Sequence, residues 1–193
     1  MRSDELSEDE QLLLKNYRSL TQSQKQAVLA SKQSFKNWLQ TSLSSIWNKV
    51  SSFFDDIWSW FKGATTPKGK FHQIWVEHNV YEGDEKGMKI HTKFDVDHVK
   101  DVPCRAGVYF HYSSGEKLKD CNNSYRAEDG QVAVNKDFTP PYEGTMYEDF
   151  EIFMPSSELH LGNGKYDLKF KIQLYVKGGD FFATSNWFYF TYG

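Results

Sequence analysis

The sequence predicts an α+β protein: an N-terminal helical segment followed by an antiparallel β-sandwich. Three observations predict it. Leu39, Leu43, Ile46, Val50, Phe53, Ile57 and Trp60 recur at alternating spacings of four and three, the a/d repeat of an apolar helix face. Beyond Pro67 the apolar period falls from 3.6 to 2, the period of half-buried strands. Between these regimes lies Gly63-Ala-Thr-Thr-Pro-Lys-Gly69, rich in breakers. The expected domains are a helical assembly segment at 1–62, a linker at 63–69 and a sandwich at 70–193.

The helical segment opens on Ser7-Glu8-Asp9-Glu10, a capping box in which the Ser hydroxyl meets the third helical amide and Glu10 reaches back. Three acids in that turn complement the helix dipole. A helix over roughly 8–19 follows. Thr21-Gln22-Ser23-Gln24 repeats the box, so a second helix starts near Gln22, and together the two make a helical hairpin. No Gly or Pro interrupts 22–62, so one long helix is allowed, with Ser34 and Ser42 as the candidate breaks because serine competes for backbone bonds. Gly63 fits a C′ cap, and Pro67 blocks continuation.

The Trp-rich stretch Leu39–Lys62 would be about 36 Å long as one helix. Trp47, Phe54 and Phe61 widen its a/d stripe on the e side. A face that broad must be covered. The candidate interaction residues are therefore Leu39, Leu43, Ile46, Trp47, Val50, Phe53, Phe54, Ile57, Trp60 and Phe61. The favoured partner is another copy of the chain or a protein helix. Packing within the chain is the second reading. A membrane surface is the third, because Phe35–Lys62 is net +1 only and interfacial helices carry more cations.

In the C-terminal part, Met88, Ile90, Thr92, Phe94 and Val96 alternate with Lys89, His91, Lys93 and Asp95. Ala106, Val108, Phe110 and Tyr112 form the next strand, and a polar loop runs from Glu116 to Gly130. Gln131–Val134 is a short strand; Phe150, Ile152 and Met154 face inward on another. Pro155–Leu159 makes a single helical turn and Gly162-Asn-Gly164 a tight one. Tyr166 to Val176 is the clearest strand, and Phe181–Tyr192 closes the chain. Six to eight strands joined by short turns read as an antiparallel sandwich.

Ile74-Trp-Val-Glu-His-Asn-Val80, Gly87-Met-Lys-Ile-His91, Gly107-Val-Tyr-Phe110, Leu118-Lys-Asp120, Phe153-Met-Pro-Ser-Ser-Glu-Leu-His160 and Gly164-Lys-Tyr-Asp-Leu-Lys-Phe170 give the region 70–192 a resemblance to C2-like or immunoglobulin-like sandwich modules of bacterial multidomain proteins. The resemblance implies an accessory or recognition domain and carries no catalytic residue with it.

Net charge is −3, with the first 66 residues at +1 and the rest at −4, which argues against nucleic acid as a partner. No secretory leader and no run of 18 apolar residues is visible, so a cytoplasmic location is expected. Cys104 and Cys121 read as free thiols in that reducing setting, with a single bridge as the alternative. The six histidines, His72, His78, His91, His98, His111 and His160, show no zinc-ligand spacing and read as surface residues. His91 and His111 are expected on outward faces of neighbouring strands. Asp84, Glu85, Asp95, Asp97 and Asp101 suggest a calcium loop, but Lys86 and Lys100 lie among them, and a solvated acidic loop is preferred. No cofactor and no metal are therefore expected. No phosphate loop, G-x-S-x-G or H-E-x-x-H occurs, so an enzyme is not expected. The functional expectation is a non-enzymatic assembly and recognition protein. A membrane-active effector is the alternative, and a hydrolase without a known motif is the third reading.

Overall fold

The computed structural model describes residues 6–193. It divides into two compact units at Thr66/Pro67, the first helical and the second built of strands. The fold is α+β, as the change of period predicts.

In the helical unit, α1 spans Glu8–Arg18, α2 Gln22–Leu29, α3 Lys32–Ser42, α4 Ser44–Val50 and α5 Phe54–Thr65. Both predicted capping boxes form. Ser7 Oγ accepts from the Glu10 amide while Glu10 accepts from the Ser7 amide, and Thr21 and Gln24 repeat the exchange. Ser31 caps α3 by accepting from the Ser34 amide, so the chain breaks at Ala30–Ser31 and Ser34 lies inside a helix.

The expected long Trp-rich helix is present as a continuous helical run over 44–65, but it does not reach back to Leu39 as one rod of about 36 Å. Leu43, at φ −140° and ψ 52°, separates α3 from α4, next to the candidate break at Ser42. Ser51–Phe53 forms a 3-10 turn before α5. Serines at 42, 44, 45, 51 and 52 flank both breaks, and serine has a lower helix propensity than alanine or leucine. Each break turns the apolar stripe, so its side chains converge on a common core and do not run along a straight seam. That core holds Leu13, Leu14, Tyr17, Val28, Phe35, Leu39, Leu43, Ile46, Val50, Ile57 and Phe61. Its centre is aromatic: the Phe61 ring lies 4.5 Å from Phe35, 5.0 Å from Tyr17 and 5.9 Å from Trp38. Gly63 is not a cap. Helix α5 continues through it to Thr65, because one glycine costs only about 1 kcal/mol against alanine. Pro67 ends the region, so the predicted linker 63–69 shrinks to the Thr66-Pro67 junction.

In the second unit, β1 spans Lys68–Glu82, β2 Glu85–Asp97, β3 Cys104–Tyr112, β4 Ala133–Phe138, β5 Thr145–Pro155, β6 Tyr166–Val176, β7 Phe181–Thr184 and β8 Phe188–Tyr192. The order β1-β2-β5 makes a three-stranded sheet. The order β4-β3-β6-β7, with β8 also on β6, makes a five-stranded one, and every pairing is antiparallel. One core lies between the sheets. Met88, Ile90, Phe94, Val96, Phe150, Ile152 and Met154 come from the smaller sheet; Ala106, Val108, Phe110, Leu168, Phe170, Ile172 and Leu174 come from the larger. The alternation predicted for β2 and β6 holds at each of these positions. The predicted last strand is two, because Ser185-Asn-Trp187 interrupts it, and Ser185 Oγ takes the Ile172 amide in place of a ladder bond. The single turn at Ser156–Leu159 is present as a 3-10 helix, ending at His160 with φ 53°. Gly164 sits at φ 145° in the predicted tight turn, a conformation that side-chain-bearing residues rarely adopt.

Because this unit has its own core and its turns carry suitable residues, a fragment of residues 67–193 should fold alone. A dispersed amide NMR spectrum and cooperative melting are expected; an insoluble or unfolded fragment would contradict this.

Candidate functional site

The ten candidate residues of the Trp-rich stretch divide into two groups. Leu39, Leu43, Ile46, Val50, Ile57 and Phe61 are buried in the core of the helical unit. Trp47, Phe54 and Trp60 are half-buried against it, and Phe53 is 46% exposed. Five of the ten, Ile46, Val50, Phe53, Ile57 and Trp60, line one side of a groove of about 600 Å³; Leu6, Ser7, Asp9, Glu10 and Leu13 from the start of the chain and α1 line the other. Lys49 bridges the groove at Asp9, 2.8 Å away. Leu6, at 40% exposed, and Phe53 leave apolar surface open to solvent at its edge. The periodicity identified these side chains as a set, but α1 could be identified as the other wall only in three dimensions.

A second surface lies on the outer face of the five-stranded sheet. Trp187 and Tyr189 are exposed there, and Lys169 lies 4.8 Å above the Trp187 ring and 5.7 Å above Tyr189, with Lys171 5.3 Å from Trp187. The His111 ring meets Trp187 edge-on at 4.9 Å. His111 is buried, and its pKa is lowered mainly by that burial and further by Lys171, Lys117 and Lys169. This face offers aromatic area and positive charge together.

His91 and His111 do not meet across a sheet. His91 lies on β2 in the smaller sheet and His111 on β3 in the larger. Both are buried, contrary to their reading as surface residues, because a large aromatic ring covers each: Trp75 stacks flat on His91 at 5.0 Å and 11°, and Trp187 meets His111. His160 is also shielded. Its Nε2 lies 3.1 Å from Asp120 Oδ1 and 3.7 Å from Glu158 Oε2. The Asp120 pKa is lowered: burial pushes it up, but the bonds from His160 and the Asn123 amide outweigh burial. This cluster ties the 113–130 loop to the turn after β5. Sequence reasoning missed it because its members are some 40 positions apart.

Asp95, one of the suspected calcium ligands, is instead paired with His72. Asp97 accepts from the His98 amide. Neither these residues nor Asp84, Glu85 and Asp101 converge as a ligand set among the described residues. Cys104 is buried on β3 and Cys121 exposed, and both are free thiols. Burial pushes the Cys104 pKa up to about 12, so it is not a thiolate nucleophile at neutral pH. A polar cleft of about 670 Å³ has both signs of charge in its wall. Its cations are already engaged: Arg105 by Asp137, Lys89 and Lys136 by Glu151 of the same wall, and Arg126 by Asn123.

No protein-family model matches the chain, and no curated protein matches it. An X-ray structure of a Northeast Structural Genomics Consortium target is similar over 65% of this chain and 86% of its own, at 8% identity and a TM-score of 0.29. A likeness at that level carries no argument about fold or activity.

Proposed function

We propose that this chain is a non-enzymatic assembly and recognition protein whose helical unit self-associates through the groove between α1 and the α4–α5 region. The observation that carries the reading is the position of Phe53, the most exposed large apolar side chain described in the helical unit, at the edge of an apolar groove. With the ring about half exposed, roughly 1 kcal/mol of burial is left unrealised. A second copy presenting its own Phe53 to the groove would recover this on both sides, as a two-fold contact requires. The basic, aromatic outer face around Trp187 supports the recognition half. Its charge suits an acidic protein segment, and the C2-like accessory-module reading of the sandwich is consistent with that role. A cytoplasmic location goes with the same proposal.

The groove is tested by Phe53→Glu. The exposed position tolerates the change in the monomer, whereas Val50 is 5% exposed and a carboxylate there would be desolvated inside the unit itself. The wild type should sediment as a multimer without detergent, Phe53→Glu as a folded monomer, and the exposed Ser59→Glu as wild type. A monomeric wild type would overturn assembly. If that monomer also floated with vesicles, the membrane-active reading would replace it. No helix among the described residues is long and apolar enough to cross a membrane, so such binding would be interfacial.

A further inference from the structure

The outer face of the smaller sheet holds an imidazole whose surroundings are those of a metal ligand. His91 and Glu151 are direct cross-strand partners, and Trp75 is the partner of His91 on its other side. Period 2 then places Asp149 beside Glu151 on β5 and Glu77 beside Trp75 on β1, all on this face. His91 Nδ1 lies 2.7 Å from Asp149 Oδ1 and 3.9 Å from Glu151 Oε1, and the three ligand atoms lie within 4.8 Å of one another. Lys89 holds the other oxygen of Glu151, Oε2, at 3.1 Å, which leaves Oε1 for another role. On the far side of the ring, Nε2 is buried and has no hydrogen-bond partner among the described residues. Its nearest carboxylate oxygen is Glu77 Oε2 at 3.8 Å, on a side chain 57% exposed and able to move.

This arrangement is unsatisfied in either neutral tautomer. With the proton on Nδ1, Asp149 accepts it and Nε2 is a bare, buried acceptor. With the proton on Nε2, Glu77 can close to accept it, but the Nδ1 lone pair then points at two carboxylates. A dication at Nδ1 removes the conflict. The Nδ1 proton is lost to solvent, the neutral ring carries its proton on Nε2, and Glu77 closes to accept it, which is the carboxylate–histidine–metal relay of many metal sites. Charge points the same way: Glu77, Asp149 and Glu151 outnumber the two ammoniums beside them, Lys89 and Lys136, which leaves the cluster net negative toward a dication.

The geometry points to a divalent transition-metal site formed by His91, Asp149 and Glu151, with Glu77 orienting the ring. One nitrogen and two carboxylate oxygens suit Zn²⁺, with water completing four-coordination; Ca²⁺ asks for six to eight oxygens and should not compete. The ligands sit on two paired strands, β2 and β5, so little need be ordered on binding beyond the exposed carboxylates.

The test uses the full chain, stripped with a chelator, and ZnCl₂ as the probe. Titration calorimetry should find one equivalent bound at pH 7.5, and saturating Zn²⁺ should raise the melting temperature by several degrees, with no rise from CaCl₂. His91→Gln should abolish both effects. So should Asp149→Asn with Glu151→Gln, a pair of exposed changes that leaves the core intact should the His91 variant fail to fold. His160→Gln should keep them, which separates this site from the Asp120–Glu158–His160 cluster. Absence of binding, a shift that survives loss of Asp149 and Glu151, a shift abolished by His160→Gln, or an equal response to Ca²⁺ would each overturn the assignment.

Discussion

Phe94→Ala should destabilise the sandwich by about 3–5 kcal/mol, the loss expected when a large aromatic is removed from a core that cannot close around the cavity. Phe94 is fully buried on β2, with Tyr147, Phe150, Phe138 and Phe71 at 5.0, 5.5, 5.6 and 5.7 Å between ring centroids. Those neighbours come from β1, β4 and β5, so the ring joins both sheets. They also pack on one another, Tyr147 against Phe138 and Phe150, so none can swing into the space without leaving a gap elsewhere. Domains of this size hold roughly 5–15 kcal/mol in total, and the loss is a large fraction of that. Urea unfolding of the 67–193 fragment measures it as a lower midpoint at unchanged slope. Tyr142→Ala, at a position 70% exposed, is the control and should stay within about 0.5 kcal/mol of wild type. A small effect at Phe94 would mean that the aromatic cluster repacks.

Phe61→Ala should have a comparable absolute effect and a larger relative one. Phe61 is fully buried and touches Tyr17 of α1 and Phe35 and Trp38 of α3, so one ring fastens three helices. A unit of about 60 residues holds only about 3–9 kcal/mol, and about 3–5 kcal/mol of that would go. The expected result is loss of most helical circular dichroism near room temperature, with the sandwich's NMR dispersion retained because that unit has a separate core. A Phe61→Ala protein that kept its helices would show that their stability comes from association and not from their own core, which would favour a much larger interface than the groove alone.

The proposed assembly site and the proposed metal site differ in how far they can be read from the chain. Leu39 through Trp60 stand out in the sequence because an apolar helix face has a period, and the same residues do build the helical core and one wall of the groove. Their division into buried and available residues is invisible in that pattern. Phe53 shares its heptad position with Leu39, Ile46 and Trp60, yet it alone of the ten is well exposed, because it ends a 3-10 turn that rotates it out of line.

What the sequence determined by itself was local. The two capping boxes, the change of period at Pro67, the alternation along β2 and β6 and the turn at Gly164 all formed as their residues require, since each rests on bonds and sterics within a few positions. Tertiary structure decided the rest. Leu43 and Ser51–Phe53 interrupt the α-helix between Phe35 and Phe61, whose rings stack at 4.5 Å in the folded unit, a contact between distant positions that no local pattern contains. In the sandwich, period 2 tells which side chains share a face but not which strand lies alongside. His91 therefore reads as one more outward residue until β5, about 60 positions later, pairs with β2 and sets Asp149 and Glu151 against its ring.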